Sequence, residues 1–230
     1  MEFLYSIVKF FTAGGAFMIP IVLVGAVAVA ITIERYVTLA IMAARNRRTW
    51  TQVETVLTSG EFDKARELMS KDDSSLARLL NMGLALEGAV RRRDDVEKAM
   101  QEGMMDVVPQ LEKRTHYLAT AANVATLLGL LGTVNGLIHS FSAVATVNPA
   151  EKANLLAASI SEAMNCTALG LMTAVPILIV HAFLQSKTTG LSDGLETAAI
   201  RLLSAIAARQ AARAQSRLEL VPPAQLAASA

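Results

Sequence analysis

Three runs along the chain, residues 10–33, 115–150 and 163–186, carry no Asp, Glu, Lys or Arg. Each is long enough to cross a bilayer as a helix, for which about 20 apolar residues suffice. The pattern predicts three membrane-spanning helices with cores near 17–37, 118–141 and 165–185. After the first, apolar residues return at helical spacing. Val53, Val56 and Leu57 precede a Ser59-Gly60 break, and Phe62, Ala65, Leu68 and Met69 follow it. Leu76, Leu79, Leu80 and Leu84 form a further set, which Asp73 or Ser74 can cap. Asp94 with Glu97 resembles a capping box. From there a helix is predicted to run almost unbroken to about Val147, about 75–80 Å at 1.5 Å per residue, with a kink at Pro109. Asn148-Pro149-Ala150-Glu151 predicts the start of the third long helix, with Asn as cap and Pro at the first helical position. Pro176 lies inside that crossing and leaves the Met172 carbonyl without its usual donor, which favours a bend.

These elements describe an all-α integral membrane protein with three transmembrane helices, two of them extended far into the cytoplasm. The expected divisions are a periplasmic interfacial helix at 1–15, spans at 16–40 and 117–147, and a cytoplasmic helical region at 41–116. A periplasmic start and third span follow at 148–186, then a cytoplasmic helix at 187–220 and a disordered tail at 221–230. The N-terminus lacks the basic region of a cleaved signal, and its Phe3, Leu4, Ile7, Val8, Phe10 and Phe11 suit an interfacial helix that Gly14-Gly15 would end. No internal repeat or separate catalytic domain is visible.

The long charge-free run still holds Asn123, Thr126, Thr133, Asn135, His139 and Ser140. Polar groups at membrane depth cost free energy unless they meet partners, so they face protein or a water-filled path. Thr126, Thr133 and Ser140 recur every seven residues and share a stripe that drifts only ~20° per heptad. The bland alternative is that each hydroxyl bonds the carbonyl one turn back. Gly129, Gly132 and Gly136 lie near one face and suit close helix packing. The third span repeats the theme with Ala163, Thr167, Gly170 and Ala174, and Glu162 and Asn165 stand at its outer end. Glu162 is a functional candidate, or a charge at headgroup level. His139 and His181, near opposite span ends, suit interfacial packing or a proton role.

Composition sharpens this picture. The chain is 53% hydrophobic with a mean hydropathy of +0.42, above the roughly 45–50% apolar content of soluble domains. The net charge of +1 conceals an asymmetry. Arg45, Arg47, Arg48, Lys113, Arg114, Lys187, Arg201, Arg209, Arg213 and Arg217 fall in segments 41–116 and 187–230, while the N-terminus before the first span holds only Lys9 and the segment between the second and third spans only Lys152. The positive-inside rule puts the basic segments, with the C-terminus, in the cytoplasm and the N-terminus in the periplasm. No basic patch with interleaved aromatics suggests nucleic acid. Cys166 is the only cysteine, so there is no disulfide framework or thiolate cluster, and a packed helix interface explains it. No metal site, cofactor site, nucleophile–base set or phosphate loop appears, so no catalytic residue is assigned. No acid lies at the midplane of any predicted span, so a proton path would need a carboxylate from a partner chain.

The residues then carry a resemblance. Gly129-Leu130-Leu131-Gly132-Thr133-Val134-Asn135-Gly136, with His139-Ser140-Phe141, is similar to the second-span signature of the MotA/TolQ/ExbB proton-channel family. Ser161-Glu162-Ala163-Met164-Asn165-Cys166-Thr167-Ala168-Leu169-Gly170-Leu171, then Ala174-Val175-Pro176, resembles its third-span signature. Three spans with an outside N-terminus fit the TolQ/ExbB branch. The resemblance implies a homo-pentamer around a pore. It also implies two copies of a single-span ExbD/TolR-like subunit supplying a membrane Asp, and a TonB- or TolA-like transducer. Thr133 and Thr167 match pore-facing threonines, and Glu162 matches the acid near the outer mouth. With Thr126, Ser140 and Asn165 they form the expected ion pathway, while Gly129, Gly132, Gly136 and Pro176 shape helix packing. Asn135 departs from a place often aromatic in the family, and Asn165-Cys166 replaces more apolar residues. The implied function is a pore-forming subunit of a proton-driven motor in the bacterial inner membrane, serving TonB-type uptake, Tol–Pal maintenance or a related task. A sodium-driven motor and a passive membrane scaffold are the alternatives.

Overall fold

A computed structural model of the chain describes residues 15–86, 93–146 and 148–219. Among them there is no strand and there are six helices: α1 (Met18–Thr58), α2 (Phe62–Lys71), α3 (Ser75–Leu86), α4 (Arg93–Glu112), α5 (His116–Val144) and α6 (Lys152–Glu219). Three helical stretches are long and apolar enough to cross a membrane: Met18–Thr58, Asp95–Val144 and Lys152–Ala212. The interfacial helix expected before Gly15, the Asp94 side chain of the expected capping box and the tail at 221–230 lie outside the described residues.

The chain divides into two compact units. The first contains α1 through Val37, then α5, and α6 through Ser186. Here small residues set the packing. A Cβ on Gly129 would lie 3.2 Å from the Thr167 Cα and 3.3 Å from the Gly170 Cα, and one on Gly136 would lie 3.0 Å from the Ala163 Cβ. Gly132 faces the Cys166 side chain so closely that a Cβ there would overlap the sulfur. α1 joins through Met18 and Ile21, buried with Cys166 and Leu169. Gly25 sits one turn on, where a Cβ would come 3.1 Å from the Thr173 Cγ2. Lipid is as apolar as Leu, so such helices associate by van der Waals contact and hydrogen bonds between them. Most large side chains on the three helices, Leu127, Leu130, Val134, Met172 and Ile179 among them, stay exposed on the single chain.

The second unit contains the remainder of α1, α2, α3, α4 and the C-terminal part of α6. Its core joins Val53 of α1, Phe62 and Met69 of α2, and Leu76, Leu79, Leu80 and Leu84 of α3. Met100 and Leu111 of α4 and Leu195, Leu202 and Ile206 of α6 complete it. Leu68 is exposed, unlike the other residues of its set. α1 ends at a glycine in the left-handed region, Gly60 at φ +76. The Glu61 amide bonds the Val56 carbonyl at 3.2 Å and the Gly60 amide bonds the Leu57 carbonyl at 3.1 Å. That pair of bonds is a Schellman ending, and it satisfies carbonyls the helix leaves open. Ser74, one of the two expected caps, starts α3 by accepting the Ala77 amide at 3.1 Å. The Leu76 amide bonds Oδ1 of Asn46 at 3.3 Å. The Ser74 amide donates to Asp72 at 2.8 Å, and the Thr49 hydroxyl donates to the same carboxylate.

Two expectations are corrected. The helix expected to run almost unbroken to Val147 is interrupted at residues 113–115, beyond Pro109, where Arg114 takes a left-handed φ of 65. One nitrogen of the Arg114 guanidinium donates to both carboxylate oxygens of Glu34, at 2.8 and 2.7 Å. The ion pair accompanies a conformation that a non-glycine residue adopts only at a cost. The second correction concerns the start of α6. Residues 148–151 close a tight turn through the Glu151 amide and the Asn148 carbonyl at 3.0 Å, and the first α-type bond runs from Leu155 to Glu151. The helix therefore begins at Lys152, three residues beyond Pro149.

Candidate ion-pathway site

The glycine face of α5 brings one hydroxyl into a contact between helices. Thr167 Oγ1 donates to the Gly129 carbonyl at 2.9 Å. Gly129 has no side chain to hold α6 away, and Thr167 and Gly170 pack directly on it. In a regular α-helix the same carbonyl accepts the amide of the residue four places on, here Thr133. The two threonines therefore share the peptide oxygen of Gly129. Thr133 turns its own hydroxyl back to the Leu130 carbonyl at 2.6 Å. Both hydroxyl hydrogens are spent on backbone, so each oxygen has only its lone pairs left for another group.

The rest of the stripe behaves as the bland reading has it. Thr126 bonds back to Ala122 at 3.1 Å and Ser140 to Gly136 at 2.7 Å. Thr126 is exposed and Ser140 is buried, 1% accessible, so the two do not share one surface of the chain. Asn165 is half-buried on α6. Pro176 lies within α6, which runs on to Glu219.

Glu162 and His139 meet at a second place. A cavity of about 290 Å³ is lined by Gly15, Ala16 and Phe17 ahead of α1, by Gly132, Asn135, Gly136 and His139 of α5, and by Ser159 and Glu162 of α6. Asn135 and His139 are four apart and share a helix face, and Ser159 and Glu162 are three apart on the other helix. Gly15, at φ +73, lies so close to the Glu162 carboxylate that a Cβ there would overlap it. The sequence marked Glu162 and His139 separately. It did not mark Ser159, Gly15 or Asn135 as part of one site, although the three- and four-residue spacings were the available signal. Thr167 and Glu162 are five apart on α6, and Thr167 does not line this cavity. Among the described residues no group of three His, Cys, Asp or Glu side chains could hold a metal ion.

The sequence model of the MotA/TolQ/ExbB proton channel family matches residues 71–197, more than half of the chain. The chain belongs to that family. Within it the similarity is to the ExbB and TolQ proteins. An ExbB-like biopolymer transport protein of Synechocystis sp. is 30% identical over 168 residues, covering 73% of this chain and 79% of that protein. The Tol-Pal system protein TolQ of Haemophilus influenzae is 34% identical over 96 residues, 42% of each chain. The biopolymer transport protein ExbB of Pseudomonas putida is 24% identical over 164 residues, 68% of this chain and 50% of that one. The alignments thus span half or less of the TolQ and Pseudomonas proteins. The family match takes in the Gly129 contact, Thr133, Glu162 and Thr167.

Proposed function

We propose that this chain is the pore-lining subunit of a proton-driven motor in the bacterial inner membrane, assembled as a homo-pentamer around single-span partners that bring a membrane aspartate. The observation that carries the proposal is that the Thr167 and Thr133 hydroxyls have their hydrogens already committed, to the Gly129 and Leu130 carbonyls respectively. Such hydroxyls can accept a hydrogen bond from a protonated carboxylic acid but have none left to give a carboxylate. The wall favours the neutral form of the partner's acid, and a carboxylate there would lose water without gaining donors. Proton binding would hold the partner helix at the wall and proton release would free it. One charge crossing the membrane contributes about 2.3 kcal/mol per 100 mV to that cycle.

The cavity holding Glu162, His139, Asn135 and Ser159 supports a polar mouth through which the proton approaches from the outer side. The chain itself performs no covalent chemistry. Work would leave through the partner toward a TonB- or TolA-like transducer, a reading supported by relatives named as a Tol-Pal system protein and as biopolymer transport proteins.

Thr133→Ser and Thr133→Val distinguish acceptor chemistry from shape. Serine keeps the oxygen and valine keeps the volume. Proton flux with the single-span partner present should survive in the serine variant and collapse in the valine variant at equal membrane levels. Equal activity in both would reject the acceptor role. Replacing external sodium by choline should leave wild-type flux unchanged, and a loss would favour the sodium-driven alternative.

A further inference from the structure

The second unit contains a cavity that the ion pathway does not use. It measures about 330 Å³ and lies between α1 and α6 over Leu76 of α3. α1 contributes Arg47 and Trp50, and α6 contributes Gly194, Leu195 and Arg201. A Cβ on Gly194 would meet nothing within 4 Å, so the hollow is open there. Its two charged lining residues are both basic. Among the described residues no ion pair engages Arg47. Arg201 pairs with Glu54 at 3.0 Å in an exposed contact and lies 5.5 Å from the Trp50 ring, and its guanidinium has further N–H donors to give. Asp193 and Glu196 of α6 are exposed and do not line the cavity.

The features that match it stand on α4. Among the described residues of this unit no large apolar side chain is more exposed than Met105, at 68%. Glu102 and Asp106, both exposed, flank it. α4 runs opposite to α3, since a Cβ on Gly103 would meet Leu79 and one on Gly83 would meet Met100. α6 runs the same way as α3, since Leu76 lines the cavity with Leu195 while a Cβ on Gly83 would lie 3.1 Å from Leu202. Two residues past Gly103, Met105 is therefore level with the Leu76–Ala77 step at the cavity floor. Asp106 is level with Leu76, whose amide bonds Asn46, the neighbour of Arg47. Glu102 lies about 6 Å back along α4, toward the level of Leu202 and its neighbour Arg201.

We propose that this cavity takes Met105 from α4 of a second copy of this chain, with Asp106 of that copy against Arg47 and Glu102 against Arg201. The thioether fills the apolar hollow beside Trp50, Gly194 and Leu195, a contact that suits its soft sulfur, and Gly190 one turn away on α6 stays clear. The acid–guanidinium pairs on either side fix the register of the two copies. A knob on α4 and a cavity between α1 and α6 make a head-to-tail contact, which closes into a ring when the rotation closes. Rotation about an axis along these helices keeps every residue at its own level, so ring closure needs knob and cavity at one level, as they are here. This contact rests on the homo-oligomeric reading of the proposed function and gives the side chains through which neighbouring copies meet beyond the spans.

Disulfide cross-linking in membranes that hold the full chain tests it. In a Cys166→Ser background, Met105→Cys combined with Gly194→Cys should form linked multimers on oxidation with copper phenanthroline, and either cysteine alone should not. Both positions are exposed, so native mass spectrometry in mild detergent should show the same ring for every variant. Arg47→Asp added to the cysteine pair should lower the cross-linked yield by about threefold or more, and Asp106→Arg added to that should restore it. An intact ring without cross-linking, an equal yield from Met105→Cys with Ser70→Cys, or no recovery in the charge swap would overturn the contact and leave the motor reading untouched. A strictly monomeric chain would overturn both. Cross-linked rings that carry no proton flux would support the contact and count against the motor reading alone.

Discussion

Gly170→Ala is the smallest change that separates the two helices of the candidate pathway. An added Cβ would lie 2.8 Å from the Ala125 carbonyl oxygen and 3.1 Å from the Gly129 Cα. Both neighbours are backbone atoms and neither can rotate away. Ordinary contact begins near 3.4 Å, so α5 and α6 must part locally by about 0.5 Å. The Thr167–Gly129 bond, 2.9 Å long, would stretch to the edge of the hydrogen-bonding range of about 3.2 Å or beyond. Overpacking costs about 1–3 kcal/mol and the weakened bond about 0.5–1.5 kcal/mol, while alanine returns about 1 kcal/mol of helix propensity. A net loss of about 0.5–3.5 kcal/mol follows from these terms. Gly190→Ala on the same helix meets nothing and should be neutral or stabilising by up to about 1 kcal/mol. Thermal unfolding of the purified assembly in neutral detergent, followed by circular dichroism, compares the two. The account expects a lower midpoint for Gly170→Ala and an equal or higher one for Gly190→Ala. Equal midpoints, or a rise in both, would refute the close-packing argument and with it the positioning of Thr167.

In the same melt Arg114→Gly should be more stable than Arg114→Ala by about 1 kcal/mol, because glycine relieves the left-handed backbone while alanine keeps the strain that the arginine already bears. Both lose the half-exposed pair with Glu34, which contributes little. Burial pushes the Asp72 carboxyl up, but hydrogen bonds from Thr49 and from the Ser74 amide and hydroxyl, with Arg45 nearby, outweigh it and hold the group below its ordinary value. A depressed folded value means the contribution is present above the unfolded carboxylate range, about 3.9, and is lost as pH falls through the folded value. Asp72→Asn should therefore show less acid destabilisation below about pH 4 than the wild type in pH-dependent melts. In a Cys166→Ser background, Ala150→Cys should label with an impermeant thiol reagent in intact cells and Ser59→Cys should not. Reversed or equal labelling would contradict the proposed orientation.

The spans were legible because lipid demands about 20 apolar residues, and few other structures do. The glycine face was legible for a similar reason: Gly129, Gly132 and Gly136 at three- and four-residue spacing permit a close approach, and the structure has one. The destination of the Thr167 hydroxyl was not, because its acceptor lies 38 positions away on another helix. Periodicity on one helix predicts the back-bonds of Thr126 and Ser140 but carries no information about a facing carbonyl. The helix break at Arg114 was illegible for a different reason. Proline is a visible breaker and arginine is not, yet Pro109 stays within helix while the arginine, held by Glu34, takes the left-handed conformation. His139 and Glu162 were each visible as polar residues near a span end, and only the packing of α5 on α6 places them on one cavity.

The central claim is that protons pass along a wall made by Thr133 and Thr167. Its most direct test is proton uptake into liposomes that hold this chain and its single-span partner, driven by an imposed membrane potential. Wild type and the Thr133→Val/Thr167→Val double variant are compared at matched amounts of assembled complex. The account predicts normal assembly in the double variant with flux reduced to the level of liposomes lacking the partner. Wild-type flux in the double variant would contradict it and leave the passive scaffold ahead.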